Sequence, residues 1–163
     1  MNEKISNVLG LDPGTTRIGF GLITNERTPK LVSCGVLKIK TKNNEERIFE
    51  AISHLKQLLK KFKPEIVALE KLFFVKNQKT GLQVAEMRGA LLYAIKEAGL
   101  NVVEYGPKEV KKSITGDGNA DKYSVAKMVK ITLKEKEIAG PDDITDALAI
   151  ALTAFYDIRN KLK

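Results

Sequence analysis

Asn7-Val8-Leu9-Gly10-Leu11-Asp12-Pro13-Gly14 is the stretch whose reading decides the fold. A short apolar run that ends in a carboxylate and a Pro-Gly turn reads as a buried strand. Arg17-Ile18-Gly19-Phe20-Gly21-Leu22-Ile23 follows at once as a second strand, with glycines where another backbone comes close. Residues 30–39 supply a third, and the short connections predict an antiparallel meander. No Gly-x-Gly-x-x-Gly follows the first strand, which argues against a dinucleotide-binding fold.

Beyond residue 44 the period changes. Ile48, Ile52, Leu55 and Leu59 share one face of a helix over 45–62, closed by Pro64. Ile66-Val67-Ala68-Leu69-Glu70 is a second buried strand that ends in an acid. A helix over 82–98 stops at Gly99, and residues 101–105 make a fifth strand. A short helix over 107–114 precedes one capped by Asp121 that runs to about Lys134. Pro141, at the first helical position, opens a long apolar helix to Asn160. The expectation is one α/β domain over residues 1–163: a mixed five-stranded sheet, three antiparallel strands then parallel ones, flanked by helices. A helical crossover would bring strands one and four side by side, so that Asp12 and Glu70 meet.

The 28 Lys+Arg against 20 Asp+Glu leave a net charge of +8, which favours a polyanionic partner. Half of that excess lies between Pro107 and Lys136, with eight lysines against four acids. Cys34 is alone, so neither an internal disulfide nor a cysteine metal site is expected. The N-terminal residues carry no apolar signal segment, and no run approaches the length of a membrane span. A cytoplasmic protein with no membrane partner is expected.

Taken singly, Asp12 and Glu70 are most simply strand-end residues, and Asp143 a favourable charge at a helix start. Asp146 fits that description less well. It shares a helix face with Asp143, three residues earlier, and enters a run that is apolar almost all round, so a positive group has to face it. Four carboxylates in one place repel one another and need cations. His54 is the only histidine and falls in mid-helix, so the ligands are oxygens alone, which suits Mg²⁺ with Mn²⁺ as a substitute. Two such ions would clamp a phosphodiester. The chemistry expected is phosphoryl transfer.

Leu9-Gly10-Leu11-Asp12-Pro13-Gly14 with Gly19 and Gly21 resembles the opening motif of RuvC-type Holliday junction resolvases. Ala68-Leu69-Glu70-Lys71-Leu72-Phe73 is similar to the family's second motif, and Asp143-Ile144-Thr145-Asp146-Ala147-Leu148 to its third. The likeness spans Val8 to about Ala154. It implies an RNase H-like fold and a homodimer that presents two sites to four-way junction DNA, in recombination and repair. It makes Asp12, Glu70, Asp143 and Asp146 the catalytic residues and ligands of two Mg²⁺ ions per site, with products carrying 5′-phosphate and 3′-hydroxyl ends. Lys111 and Lys122 match basic positions near the active site and are expected on phosphates. Phe73 aligns with an aromatic that stacks on opened bases, Lys76 and Asn77 are further DNA contacts, and the RuvA–RuvB complex is the implied partner. One departure lies in Val84-Ala85-Glu86-Met87-Arg88-Gly89, where the family commonly reads Leu-Gly-Gln-Ala-Arg-Gly. Asp12-Pro13-Gly14-Thr15-Thr16 also resembles the first phosphate loop of actin-like ATPases, but those need two lobes and this length provides one.

Overall fold

Val8, Leu9 and Leu11 are fully buried because their strand, β1 (Asn7–Pro13), lies at the centre of a five-stranded sheet. The computed structural model describes residues 7–24, 26–72 and 78–161. β1 pairs antiparallel with β2 (Arg17–Thr24), which pairs antiparallel with β3 (Leu31–Lys38). On its other side β1 runs parallel to β4 (Ile66–Glu70), which in turn is parallel to β5 (Asn101–Tyr105). The order is β3-β2-β1-β4-β5, and the mixed sheet expected from the sequence is the one observed.

Helices α1 (Asn44–Phe62) and α2 (Gln78–Glu97) connect the parallel strands and cover one face. Leu9, Leu11, Val67 and Leu69 point into that layer and pack with Leu55, Leu91 and Ile95. The other face is covered by α5 (Asp142–Lys161), backed by α3 (Pro107–Thr115) and α4 (Lys122–Leu133). Val8, Ile23 and Ala68 point that way, against Leu148, Ala151 and Leu152. A sandwich between the sheet and two helices explains why α5 is apolar almost all round.

Strand side chains alternate, so these facts fix where the strand-end acids go. Val8 faces α5; Gly10 and Asp12 share its parity. Ala68 faces α5; Glu70 shares its parity. Three glycines on that face make room for the helix. A Cβ at Gly10 would stand well inside 3.0 Å of the Ala147 carbonyl oxygen, and one at Gly19 equally close to that of Asp143. At Gly21 it would meet Leu148 Cδ2 at 2.6 Å. α5 therefore lies on bare backbone.

Some boundaries differ from expectation. β1 continues through Pro13, and the turn falls on the next three residues, Gly14, Thr15 and Thr16. β3 is one residue shorter at each end, because Lys30 and Ile39 bond across turns rather than in the ladder: the Lys30 carbonyl accepts from Thr24 N and Ile39 N donates to the Thr16 carbonyl. α2 starts at Gln78 rather than Leu82, for its first turn is polar and gives no periodic signal. α5 starts at Asp142, with the Pro141 carbonyl accepting from Ile144 N just outside the helix. Asp121 caps α4 as expected, accepting from Ser124 N at 2.7 Å. Gly99 ends α2 at φ 74°. Among the described residues, no helix is long and apolar enough to cross a membrane.

Candidate active site

The C-terminal ends of β1 and β4 and the first turns of α5 enclose a cleft of about 260 Å³. Asp12, Glu70 and Asp146 line it, opposed by Lys111 from α3 and Lys122 from α4, over a floor that includes Val110, Val125 and Ile150. Asp143 stands on the same side of α5 as Asp146, but outside this lining. Its backbone rests on Gly19, the cross-strand partner of Asp12. Residues far apart in the chain thus gather because α5 can settle onto glycines.

Burial and mutual repulsion set the electrostatics. Asp12 is pushed up from 3.8 to about 7, chiefly by burial and then by Asp146, Glu70 and Asp143, with Lys122 opposing. Glu70 is raised by burial and by Asp146, against the pull of Lys122 and Lys111. Asp146 is also raised, by burial first, although Lys122 Nζ lies 3.5 Å from its Oδ2. Lys122 is the positive group that Asp146 requires, and the carboxylate in turn raises the lysine. Asp143 is paired elsewhere: Arg17 Nε stands 2.9 Å from its Oδ2. That oxygen is buried and has no hydrogen-bond partner.

The family model for crossover junction endodeoxyribonuclease RuvC matches residues 8–154. The chain belongs to the RuvC family. A RuvC of Aliarcobacter butzleri is 44% identical over 147 residues, 90% of this chain and 96% of that protein. The solved Thermus thermophilus RuvC superposes with a TM-score of 0.85 at 38% identity, covering 94% of this chain and 96% of the other. T. thermophilus RuvC in complex with a Holliday junction substrate superposes at 0.83 with 36% identity over the same shares. The fold is the RNase H-like one of these RuvC structures.

Of the positions matched to RuvC motifs, Asp12, Glu70, Asp146, Lys111 and Lys122 meet at one cleft, while Asp143 is turned to Arg17. Phe73, Lys76 and Asn77 lie outside the described residues. Asp142 lies in the first turn of α5, outside the cleft lining. His54 is partly buried in mid-α1 and lines a separate pocket with Phe20 and Leu58.

Two arginines were not singled out as site residues by the sequence. Arg17 reads there only as the polar start of a strand. Arg88, on α2, donates through Nε to the Glu70 carbonyl oxygen at 3.0 Å and pairs with Glu104 on β5. It ties the exit of β4 to its neighbours, while Lys71 N donates to the Tyr105 carbonyl at 2.8 Å. The RuvC motif containing Arg88 was the only signal for it.

The donor set fits a hard divalent cation: the ligands are oxygens alone, burial and repulsion disfavour Asp12, Glu70 and Asp146 as anions, and Asp143 Oδ2 is orphaned. Among the described residues no three acidic, histidine or cysteine side chains are gathered as a ready-made cage. Two of the four acids are instead turned toward Arg17 and Lys122.

The raised groups have a linked consequence. Asp12 is easier to fold when protonated, so its contribution to stability is full below its ordinary 3.8 and is lost as pH rises through about 7. A bound cation reverses that loss. Mg²⁺ should therefore raise the melting temperature more above a pH of about 7 than in mildly acidic buffer. An ion effect that stays flat across the window would separate Asp12 from the ion site.

Proposed function

We propose that this chain is a structure-selective endonuclease that resolves four-way DNA junctions by paired phosphodiester hydrolysis, leaving 5′-phosphate and 3′-hydroxyl ends, in homologous recombination and repair. The observation that carries the reading is the convergence of Asp12, Glu70 and Asp146, from three separate elements, at one cleft rimmed by lysines. An acidic cleft in a chain of net charge +8 has a use when the partner is a polyanion whose cleavage needs cations.

Asp12, Glu70, Asp143 and Asp146 are the residues that would hold Mg²⁺, two ions per site, with Mn²⁺ as a substitute. When bound, divalent ions stabilise the charge that develops on attacking and leaving oxygens. The protein's own contribution is placement. Asp12 and Glu70 are fixed by strand ends, and Asp146 by a helix seated on the sheet. Arg88 holds the backbone of Glu70 in place. Lys111 and Lys122 offer charge to the phosphate backbone, positioning DNA without reading its sequence. Val110, Val125 and Ile150 form an apolar floor that limits water at the reacting centre. Phe73 is the aromatic wedge at the crossover, and Lys76 and Asn77 are further contacts to DNA.

The working unit in this reading is a homodimer of a single nuclease domain, two sites cutting two strands of one junction. It acts in the cytoplasm, and RuvA–RuvB branch migration supplies the junction. The deciding experiment uses a synthetic four-way junction with each strand labelled in turn, incubated with Mg²⁺ or with EDTA and run on a denaturing gel. Symmetric nicks that appear only with the ion and that a DNA ligase can reseal are expected. Uncut junctions, or equal cutting of linear duplex, would defeat the assignment.

A further inference from the structure

Arg17 opens β2 beside the acid cluster, and its side chain is 54% exposed against 18% for that of Asp143, with which it pairs. The contact neutralises charge without satisfying the carboxylate. Nε stands 2.9 Å from Asp143 Oδ2, yet this buried oxygen accepts no hydrogen bond. Asp143 repels both Asp146 and Asp12, and Lys122 is spent on Asp146. Asp143 is the member of the four that does not line the cleft. Its companion cation comes from the start of β2 and not from the α3 and α4 lysines that line the cleft.

We propose that Arg17 is a resident counter-cation on Asp143, displaced when a divalent ion binds and then free to contact the DNA backbone at the mouth of the site. The inference rests on reading the four acids as ion ligands. Three physical points support it. A pair with one partner half exposed is weak and screened by salt, so a divalent ion competes well for the same oxygen. The misaligned contact leaves that oxygen a lone pair to give. The released guanidinium is a planar fork that matches a phosphate, on a stem long enough to swing from carboxylate to solvent. The ion-free protein thus avoids an uncompensated charge on Asp143, and arginine joins the DNA only once the ion is in place.

The test is a Mn²⁺ titration of the DNA-free protein, read by calorimetry, for wild type, Arg17→Gln, Arg17→Lys and Asp146→Asn. Loss of the competitor should tighten Mn²⁺ binding by about three- to tenfold in Arg17→Gln, with Arg17→Lys between it and wild type. Equal or weaker binding in Arg17→Gln overturns the proposal; should that variant not fold, Arg17→Lys carries the same comparison. Junction affinity in Ca²⁺ buffer then reads the second role: Arg17→Gln should lower the salt dependence by about one phosphate contact, and an unchanged slope overturns the contact to DNA. Wild type that binds no Mn²⁺ sinks the ion-site reading along with this one. Wild type that binds, is weakened by Asp146→Asn and is matched by Arg17→Gln sinks only the role of Arg17.

Discussion

Replacing Asp12 with asparagine should give a protein that melts at a higher temperature and cuts nothing. The two effects share one cause. The half-buried Asp12 carboxylate loses hydration and is repelled by Asp146, Glu70 and Asp143, which lifts it to about 7. Above that pH the fold carries a charge it disfavours, and an amide of the same shape removes it without opening a cavity. Thermal melting without Mg²⁺ should therefore favour Asp12→Asn at alkaline pH and show little difference in acid. Cleavage should fall on the order of a thousandfold or more, because a neutral amide is a poor ligand for a divalent ion at the reacting centre. Junction binding survives or strengthens, since Lys111 and Lys122 remain and one repelling charge is gone. A variant that loses stability and cutting together would make Asp12 a structural residue and end its catalytic assignment.

Gly19→Ala, like Gly10→Ala, should be among the most damaging single methyl additions in the protein. The added carbon would stand well inside 3.0 Å of the Asp143 carbonyl oxygen, a main-chain atom that no rotamer change can move aside. Either α5 lifts from β2 or the hairpin bends. Overpacking of this kind costs roughly 1–3 kcal/mol, and here the yielding element also carries Asp143 and Asp146. Denaturant unfolding should show a lower midpoint at an unchanged slope, with cleavage falling further than the population of folded protein accounts for. Gly89→Ala is the control: a Cβ there meets nothing within 4 Å. If Gly19→Ala and Gly89→Ala behave alike, the close seating of α5 is not what assembles the site.

Parts of the site are legible in the amino-acid sequence alone. Asp12 and Glu70 are visible because each ends a short buried strand, and alternation within those strands assigns the face. Gly19 and Gly21 are visible as anomalies in a strand, which announces a close neighbour without naming it. Asp146 is visible as a charge in an apolar helix that demands a cation. Lys122 as that cation is not, because the lysine follows the cap of a different helix and nothing in its spacing points to α5. Arg17 and Arg88 are harder still. Both act through contacts across the fold, to Asp143 and to the Glu70 carbonyl, and a side chain that reaches a main-chain oxygen leaves no pattern in the letters.

By itself the sequence determined the elements, their order and the parity that sends two acids to one face of the sheet. Local chemistry accounts for all of that: apolar period, turn residues and caps act over a few positions. The tertiary structure alone decided which cation meets which acid, and that Asp143 is turned from the cleft. Those outcomes depend on how closely α5 seats on Gly10 and Gly19 and on long, flexible arginine and lysine stems, and distances of that kind are set by packing between segments remote in the chain.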